Sequence, residues 1–395
     1  MRRVLLLGSL TSLAAAAPGC KPPTCPPAEV TPPAAETVAG WVDPARPRVA
    51  VELDGRPRVA VLDTAYPRSA IELGRAVPDQ NDAILTLGGA SAGPLHWDLW
   101  VAPEGADLVA GADVLSQLPL VLDARARATR FLPAFLPGDG VAPLTLWSSG
   151  LCRGDDAQGG PEGPDLLLVN AELEGRPVTL AVDTGADITI VRTDTVSDLG
   201  SRPLLSGIVV ESHFIGRNLL TATRARSLSI GGAISVAAPV LVTSLGGLER
   251  QGGLSEWYRD APAQIDGLLG MSFLREFEVS LALRDGAGGR ALGLTRFDTQ
   301  DHWSRHFVGV GVATRPSEPP EPAGLRVESV FSPSPARDAG LSAGDVILTV
   351  NGVPAASLPT PWGVPGTVVE LRSQRNGTIL TAQVEIKDLL PDPAP

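Results

Sequence analysis

Aromatic side chains make up only 4% of the 395 residues, so the cores must be filled by Val, Leu, Ile and Ala. Histidine is scarcer still: four residues, at positions 96, 213, 302 and 306. Only His302 and His306 have the i, i+4 spacing of a zincin helix, and Trp303 stands where the required glutamate would follow the first His. No metal and no cofactor is expected. Of the three cysteines, Cys20, Cys25 and Cys152, neither of the last two has a nearby His to activate it, which excludes a cysteine hydrolase. Cations are outnumbered, 32 Lys and Arg against 44 Asp and Glu, for a net charge of −12. Phosphate contacts need clustered cations, so nonspecific nucleic-acid binding is excluded.

What is abundant is proline (37) and glycine (43), which points to many turns and short strands rather than long helices. With 44% hydrophobic and 19% charged residues the chain reads as globular, and its length suits two or three domains. Met1-Arg2-Arg3 followed by an apolar run to Ala17 has the form of a signal peptide, and that run is too short to span a bilayer. It ends Ala17-Pro18-Gly19-Cys20, which resembles a bacterial lipobox with a small residue before Cys20, although Ala17 and Pro18 depart from the usual pattern. The expectation is export to a bacterial envelope, as a periplasm-facing outer-membrane lipoprotein held at Cys20. A plain secretory cleavage near the alanine run is the alternative. Residues 21–44 are proline-rich and are expected to form a semi-rigid spacer. An oxidising compartment permits a Cys25–Cys152 bridge.

The strongest signal is internal repetition. The segment from Glu52-Leu53-Asp54-Gly55-Arg56-Pro57 to Val61-Leu62-Asp63-Thr64-Ala65 returns as Glu172-Leu173-Glu174-Gly175-Arg176-Pro177 to Ala181-Val182-Asp183-Thr184-Gly185. Each copy reads as a strand, a turn at Asp54-Gly55 or Glu174-Gly175, and a second strand ending on Asp-Thr. Leu85-Thr86-Leu87-Gly88-Gly89 then parallels Leu228-Ser229-Ile230-Gly231-Gly232. Leu108-Val109-Ala110-Gly111 with Val114-Leu115 parallels Leu268-Leu269-Gly270 with Phe273-Leu274. Both copies run on into a strand. Four motifs in one order indicate duplication. Between its Asp-Thr and Gly-Gly segments copy two has an extra stretch, residues 193–226, with strand-like Ile208-Val209-Val210 and Leu219-Leu220-Thr221; copy one has none.

Val182-Asp183-Thr184-Gly185-Ala186, with Asp266-Gly267-Leu268-Leu269-Gly270 downstream, resembles the retropepsin-type aspartyl protease family. The likeness runs over roughly residues 45–300 and is specific in copy two. It implies that Asp63 and Asp183 meet at a pseudo-two-fold axis as a catalytic dyad within one chain, the pepsin-like arrangement built from viral-sized halves. Two close carboxylates cannot both ionise comfortably, so they hold one proton between them. The ionised member then draws a proton from water while the protonated one polarises the peptide carbonyl. By the same likeness Thr64 and Thr184 hydrogen-bond across the axis, the loop residues Gly185, Ala186 and Ala65 surround the carboxylates, and the extra stretch is a flap that excludes water. Ala65 departs from the pattern, where glycine is usual. Its Cβ is expected to crowd the opposite loop, and to strain the backbone by about 1–3 kcal/mol if φ is unfavourable. Other carboxylates, Asp113, Asp187 and Asp266, read as loop or turn residues.

Beyond residue 305 the composition changes. Ser334-Pro335-Ala336-Arg337-Asp338-Ala339-Gly340-Leu341 and Gly344-Asp345-Val346-Ile347-Leu348-Thr349-Val350-Asn351-Gly352 resemble a PDZ domain of the bacterial envelope-protease type. Ser334 suits a helix cap, Gly340 a helix stop and Asn351-Gly352 a hairpin turn. PDZ domains add a chain terminus or loop as a strand to an open sheet edge. The resemblance assigns the carboxylate-binding loop to Phe307, Val308, Gly309 and Val310.

The expected fold is mainly β: two tandem retropepsin-like half-barrels forming a pseudo-two-fold pair, followed by an α+β PDZ domain. The expected boundaries are a signal peptide at 1–20, a linker at 21–44, copy one at 45–136, a linker at 137–164, copy two at 165–299 and the PDZ domain at 303–388. The expected activity is an envelope aspartic endopeptidase, with polypeptides or C-terminal peptides as partners and a monomer favoured over a homodimer. The rival is an inert pseudoprotease, a peptide-binding lipoprotein scaffold whose dyad Ala65 has broken.

Overall fold

Alternation of apolar and polar residues puts Val49, Val51 and Leu53 of the strand Arg48–Leu53 inward, and Asp54, held at φ 50°, turns the chain into Arg56–Leu62. Leu166–Leu173 and Arg176–Val182 repeat this hairpin around Glu174 at φ 55°. The structure is a computed structural model that describes residues 29–42, 47–66, 69–72, 83–95, 98–100, 106–134, 140–147, 166–212, 216–243, 265–282, 290–297, 307–358 and 362–390. Cys20, Cys25, Cys152 and the expected signal peptide, 1–20, lie outside the described residues.

The two copies correspond strand for strand. In copy one Arg56–Leu62 pairs in parallel with Leu108–Ala110, which leads into the short helix α1, Ala112–Leu115. In copy two Arg176–Val182 pairs in parallel with Gly267–Leu269, which leads into α2, Met271–Leu274. Ala70–Glu72 lies parallel to Asp98–Trp100, as Thr189–Arg192 lies parallel to Pro239–Thr243. The hairpins Ala83–Leu87 with Ala90–Leu95, and Ser227–Ile230 with Ala233–Val236, complete the match. The extra stretch of copy two forms the long hairpin Leu205–Ser212 and Gly216–Arg224, whose second strand pairs with Pro239–Thr243. Its turn, 213–215, is outside the described residues.

The copies join through a sheet in which Leu120–Asp123 runs antiparallel to Phe277–Ala282, with Leu120 opposite Leu281 and Leu122 opposite Val279. One apolar cluster runs through both copies, from Val49 and Leu62 to Val182 and Leu269. Its large members include Phe131, Phe273 and Phe277, all fully buried.

Two stretches expected to be linkers contain strands. Glu29–Thr31 pairs with Ala90–Leu95, and Thr37–Gly40 with Ala128–Phe131. Trp41 is buried and donates its Nε1–H to Thr129 Oγ1 at 2.8 Å. Gly140–Trp147, from the second stretch, pairs with both Leu166–Leu173 and Ala291–Arg296 and stitches copy two to the joining sheet. Pro32, Pro33 and Pro143 mask these strands in the sequence. Proline is tolerated at strand ends and sheet edges, and the partners are too distant in the chain to leave a local hairpin signal.

The C-terminal module has its own core, including Val327, Ile347, Val350, Leu371 and Val384. Its strands order as Val312–Pro316, Leu325–Val330, Val346–Val350, Val368–Arg375 and Thr378–Glu385, which leaves Val312–Pro316 at the sheet edge. Helix α3, Pro335–Asp338, is capped by Ser334, whose Oγ accepts from the Arg337 N–H at 3.2 Å. No helix among the described residues is long and apolar enough to cross a membrane.

Candidate active site

Each aspartate sits one residue past its hairpin, where the strand stops pairing along its length and closes on the short parallel strand beside it. The Asp63 N–H donates to Ala110 O at 3.1 Å and the Asp183 N–H to Leu269 O at 3.0 Å. The carboxylates fold back over the following turn. Asp63 Oδ1 accepts from the Ala65 and Tyr66 N–H groups at 2.9 and 3.0 Å. Asp183 Oδ1 accepts from Gly185 and Ala186 at 3.0 and 2.9 Å. Two backbone donors per carboxylate fix its plane.

The threonines bind the loops to each other. Thr64 Oγ1 donates to Val182 O and Thr184 Oγ1 to Leu62 O, both at 2.7 Å. In return the Thr64 N–H donates to Thr184 Oγ1 at 3.1 Å and the Thr184 N–H to Thr64 Oγ1 at 3.3 Å. Both side chains are buried. The exchange is two-fold symmetric and draws both aspartates to one place. Asp183 is 4% exposed; Asp63 is half-buried.

A measure of their approach comes from Gly185. A Cβ built there would lie 2.3 Å from Asp63 Oδ2 and 2.5 Å from its Cγ. The Asp63 carboxyl group thus rests against the Asp183 loop, in a space only glycine leaves open. Ala65 behaves differently from expectation. Its φ is not positive, so the backbone carries none of the left-handed strain an alanine would suffer there. Its methyl is fully buried in the apolar cluster of copy two that includes Leu168 and Ala181.

A second pair of residues braces the loops, and sequence reading missed it. Ser69 Oγ and Thr189 Oγ1 each accept from the glycine before the short helix, Gly111 and Gly270, at 3.1 Å. Asp113 holds Ser69 through its N–H and Oγ at 2.8 and 2.9 Å, and Ser272 does the same service for Thr189. The signal was present: both residues follow their aspartate by the same interval within the repeat. Asp266 accepts from the Thr179 N–H at 2.9 Å, as Asp107 does from Val59 at 2.8 Å, so each ties the start of a short parallel strand to the strand beside it. Among the described residues no group of His, Cys, Asp and Glu is arranged to hold a metal.

The base of the long hairpin is clamped by a buried ion pair. Arg202 grips the Glu174 carboxylate with both terminal nitrogens, and its Nη1 also donates to Arg224 O at 3.0 Å. Burial works to raise the Glu174 pKa. The bonds from Arg202, Ser197 and the Arg226 N–H outweigh it and hold the group at about 2.

In the C-terminal module the loop residues Phe307 and Val310 are buried. Phe307 is 4% exposed and belongs to the apolar cluster of copy two, and Val310 lies in the module's own core. Val308–Gly309 pairs with Lys387–Asp388. Packing has claimed both large side chains, leaving backbone as what this segment can offer a ligand.

Residues 169–273 match the family model described as aspartyl protease, and residues 308–386 match that of the PDZ domain. Copy two is an aspartyl-protease-like domain, and the C-terminal module is a PDZ domain. Among curated proteins none matches the chain. Solved structures similar to it include an aspartic proteinase from Irpex lacteus, at 14% identity over 69% of this chain and 99% of that one, with a TM-score of 0.40. A retropepsin-like aspartic protease from Rickettsia conorii matches at 17% identity over 38% of this chain and 91% of that one, TM-score 0.20. An aminopeptidase N family protein from Idiomarina loihiensis matches at 27% identity over 22% of this chain, TM-score 0.19; the chain spans 14% of that protein's length.

Proposed function

We propose that the protein is an aspartic endopeptidase of a bacterial cell envelope, working through an Asp63/Asp183 dyad within one chain. The observation that carries this reading is the reciprocal Thr64–Thr184 exchange, which draws both aspartate loops together and sets the Asp63 carboxyl against Gly185. The dyad holds one proton. Its ionised member takes a proton from a water lying between the carboxylates, and the oxygen of that water bonds to the peptide carbonyl carbon. The protonated member donates to the carbonyl oxygen, giving a neutral diol. Collapse of the diol breaks the C–N bond: one carboxyl group protonates the leaving nitrogen and the other takes back a hydroxyl proton. The long hairpin of copy two closes over the substrate and excludes water. The PDZ edge strand Val312–Pro316 takes up an extended polypeptide and recruits it to the dyad. Residues 1–20 direct export, with Cys20 as the lipidation point, and the functional unit is a monomer.

Cleavage of an unfolded polypeptide by the purified protein tests the activity, with Asp183→Asn and Asp63→Asn as controls. Equal turnover in all three would end the proposal. Loss in Asp183→Asn alone would shift it to a homodimeric site. The rival scaffold reading predicts tight peptide binding without turnover and indifference to transition-state mimics. The relaxed φ of Ala65 speaks against it.

A further inference from the structure

The PDZ domain is packed onto the hairpin that closes the site. Ser206, near the start of that hairpin, and Ser332, just past the PDZ strand Leu325–Val330, exchange backbone hydrogen bonds in both directions at 2.9 Å. Ser206 Oγ adds a third bond to Ser332 O at 3.1 Å. The hairpin is built for this approach. Its register shifts between Ser206 and Ile208, and Gly207 between them has φ +85°. A Cβ on Gly207 would lie 3.0 Å from Val330 O.

The last strand of the hairpin is held as well. Arg224 is buried, and its Nε donates to Leu390 O while Nη1 donates to Ala237 O at 3.0 Å. Leu390 and Phe307 stand at the two ends of the PDZ domain, and the Leu389 N–H donates to Phe307 O at 2.9 Å. Both side chains are buried in one apolar cluster with Leu205, Ile208, Leu220 and Ala222 of the hairpin, and Phe331 packs against it. Apolar burial of this kind, together with a charged donor on a backbone carbonyl, outlasts thermal motion far better than a tether would.

We infer that the PDZ domain positions the closing hairpin: residues Phe331, Ser332 and Leu390 brace the base of Leu205–Arg224, so catalysis on any substrate depends on that joint. This rests on the protease reading of the site and goes beyond it, because a domain that only recruits substrate would leave the hairpin alone. The ligand-accepting strand Val312–Pro316 pairs directly with the strand that ends at the joint, so peptide on the PDZ edge and hairpin position are mechanically linked.

Two full-length variants test the brace, one from each side: Gly207→Ala on the hairpin and Leu390→Ala on the PDZ domain. Amide hydrogen exchange is read over residues 205–224, and kcat and KM are read on a short peptide with an amidated C-terminus, which offers the PDZ domain no carboxylate. The expected result is about tenfold faster exchange across the hairpin in each variant, and a kcat on the short peptide lowered by a similar factor with little change in KM. Unchanged exchange in Leu390→Ala would overturn the inference whatever the activity, as would a kcat that falls only for long substrates. If Leu390→Ala does not fold, the same readings on Gly207→Ala decide. A wild-type protein with no turnover but with the exchange response would refute the protease reading and leave the brace standing.

Discussion

Adding one methyl group at Gly185 tests the geometry of the site directly. A Cβ there falls 2.3 Å from Asp63 Oδ2, 2.5 Å from Cγ and 3.1 Å from its Cβ. Ordinary van der Waals contact is about 3.5 Å, so the Asp63 carboxyl group must retreat by roughly 1 Å. Retreat is costly on both sides. Asp63 Oδ1 is held by two backbone N–H groups, and the opposing loop is locked by the threonine exchange. Overpacking of this kind costs about 1–3 kcal/mol of stability, and a 1 Å misplacement of a reacting group costs about a hundredfold in rate. Gly185→Ala is therefore expected to lower kcat/KM on an unfolded polypeptide by two orders of magnitude and to shift the urea midpoint measurably. Ala65→Gly is the comparison. It removes a buried methyl and adds chain entropy, so about 1–2 kcal/mol of stability is lost, while the rate changes less than threefold. A Gly185→Ala protein with wild-type stability and rate would refute the placement of Asp63 against the copy-two loop.

Three further outcomes are expected. Thr184→Val deprives Leu62 O of its donor and the Thr64 N–H of its acceptor, both buried, and should cost about 2–4 kcal/mol in urea unfolding; combined with Thr64→Val the losses should be less than additive, because the two residues share one exchange. Glu174 is held at about 2 against an ordinary 4.5, so its folded-state pKa is depressed. Its contribution, on the order of 3 kcal/mol, is complete above pH 4.5 and is lost as the pH falls through about 2. Glu174→Gln should flatten the acid limb of a stability-versus-pH curve, and an unchanged limb would disprove the assignment. Ser334→Ala removes the cap of α3, and should lower PDZ stability by about 1 kcal/mol in thermal unfolding of the full chain.

Duplication was legible because it left the same residues in the same order, and each motif has a local physical cause. Asp54-Gly55 and Glu174-Gly175 make turns, and Gly111 and Gly270 precede the two short helices. The PDZ block was legible for the same reason, from Ser334 at the cap to Asn351 at the turn. What stayed hidden depends on distant partners. Val30 and Trp41 lie in a proline-rich stretch whose strands pair with residues 90–95 and 128–131, so nothing nearby announces them. Phe307 was read as part of the carboxylate-binding loop from its place in a motif. Its burial depends on Leu390 and on the copy-two hairpin, contacts that no linear pattern encodes. The expected strain at Ala65 rested on an assumed backbone angle, and the chain there does not adopt it.

The asymmetry of the two copies has a structural logic that follows from these particulars. In copy one the sheet ends, among the described residues, at Asp98–Trp100, the counterpart of the strand Pro239–Thr243 on which copy two builds its long hairpin. Among the described residues no matching hairpin from copy one meets this one, so its base is fixed by other contacts. The outside support comes from three sources: the buried Arg202–Glu174 pair ties the hairpin's start to its end, Arg224 ties its end to Leu390, and the Ser206–Ser332 exchange ties its start to the PDZ domain. In copy two glycine stands at two points of close approach from outside that copy, Gly185 by the Asp63 carboxyl and Gly207 by the PDZ chain. Copy one meets neither demand in its own loop, and there alanine at position 65 is absorbed by apolar packing. Divergence of the halves thus follows the contacts each one has to make, with the long hairpin and its PDZ contacts both on the side that has glycine beside the aspartate.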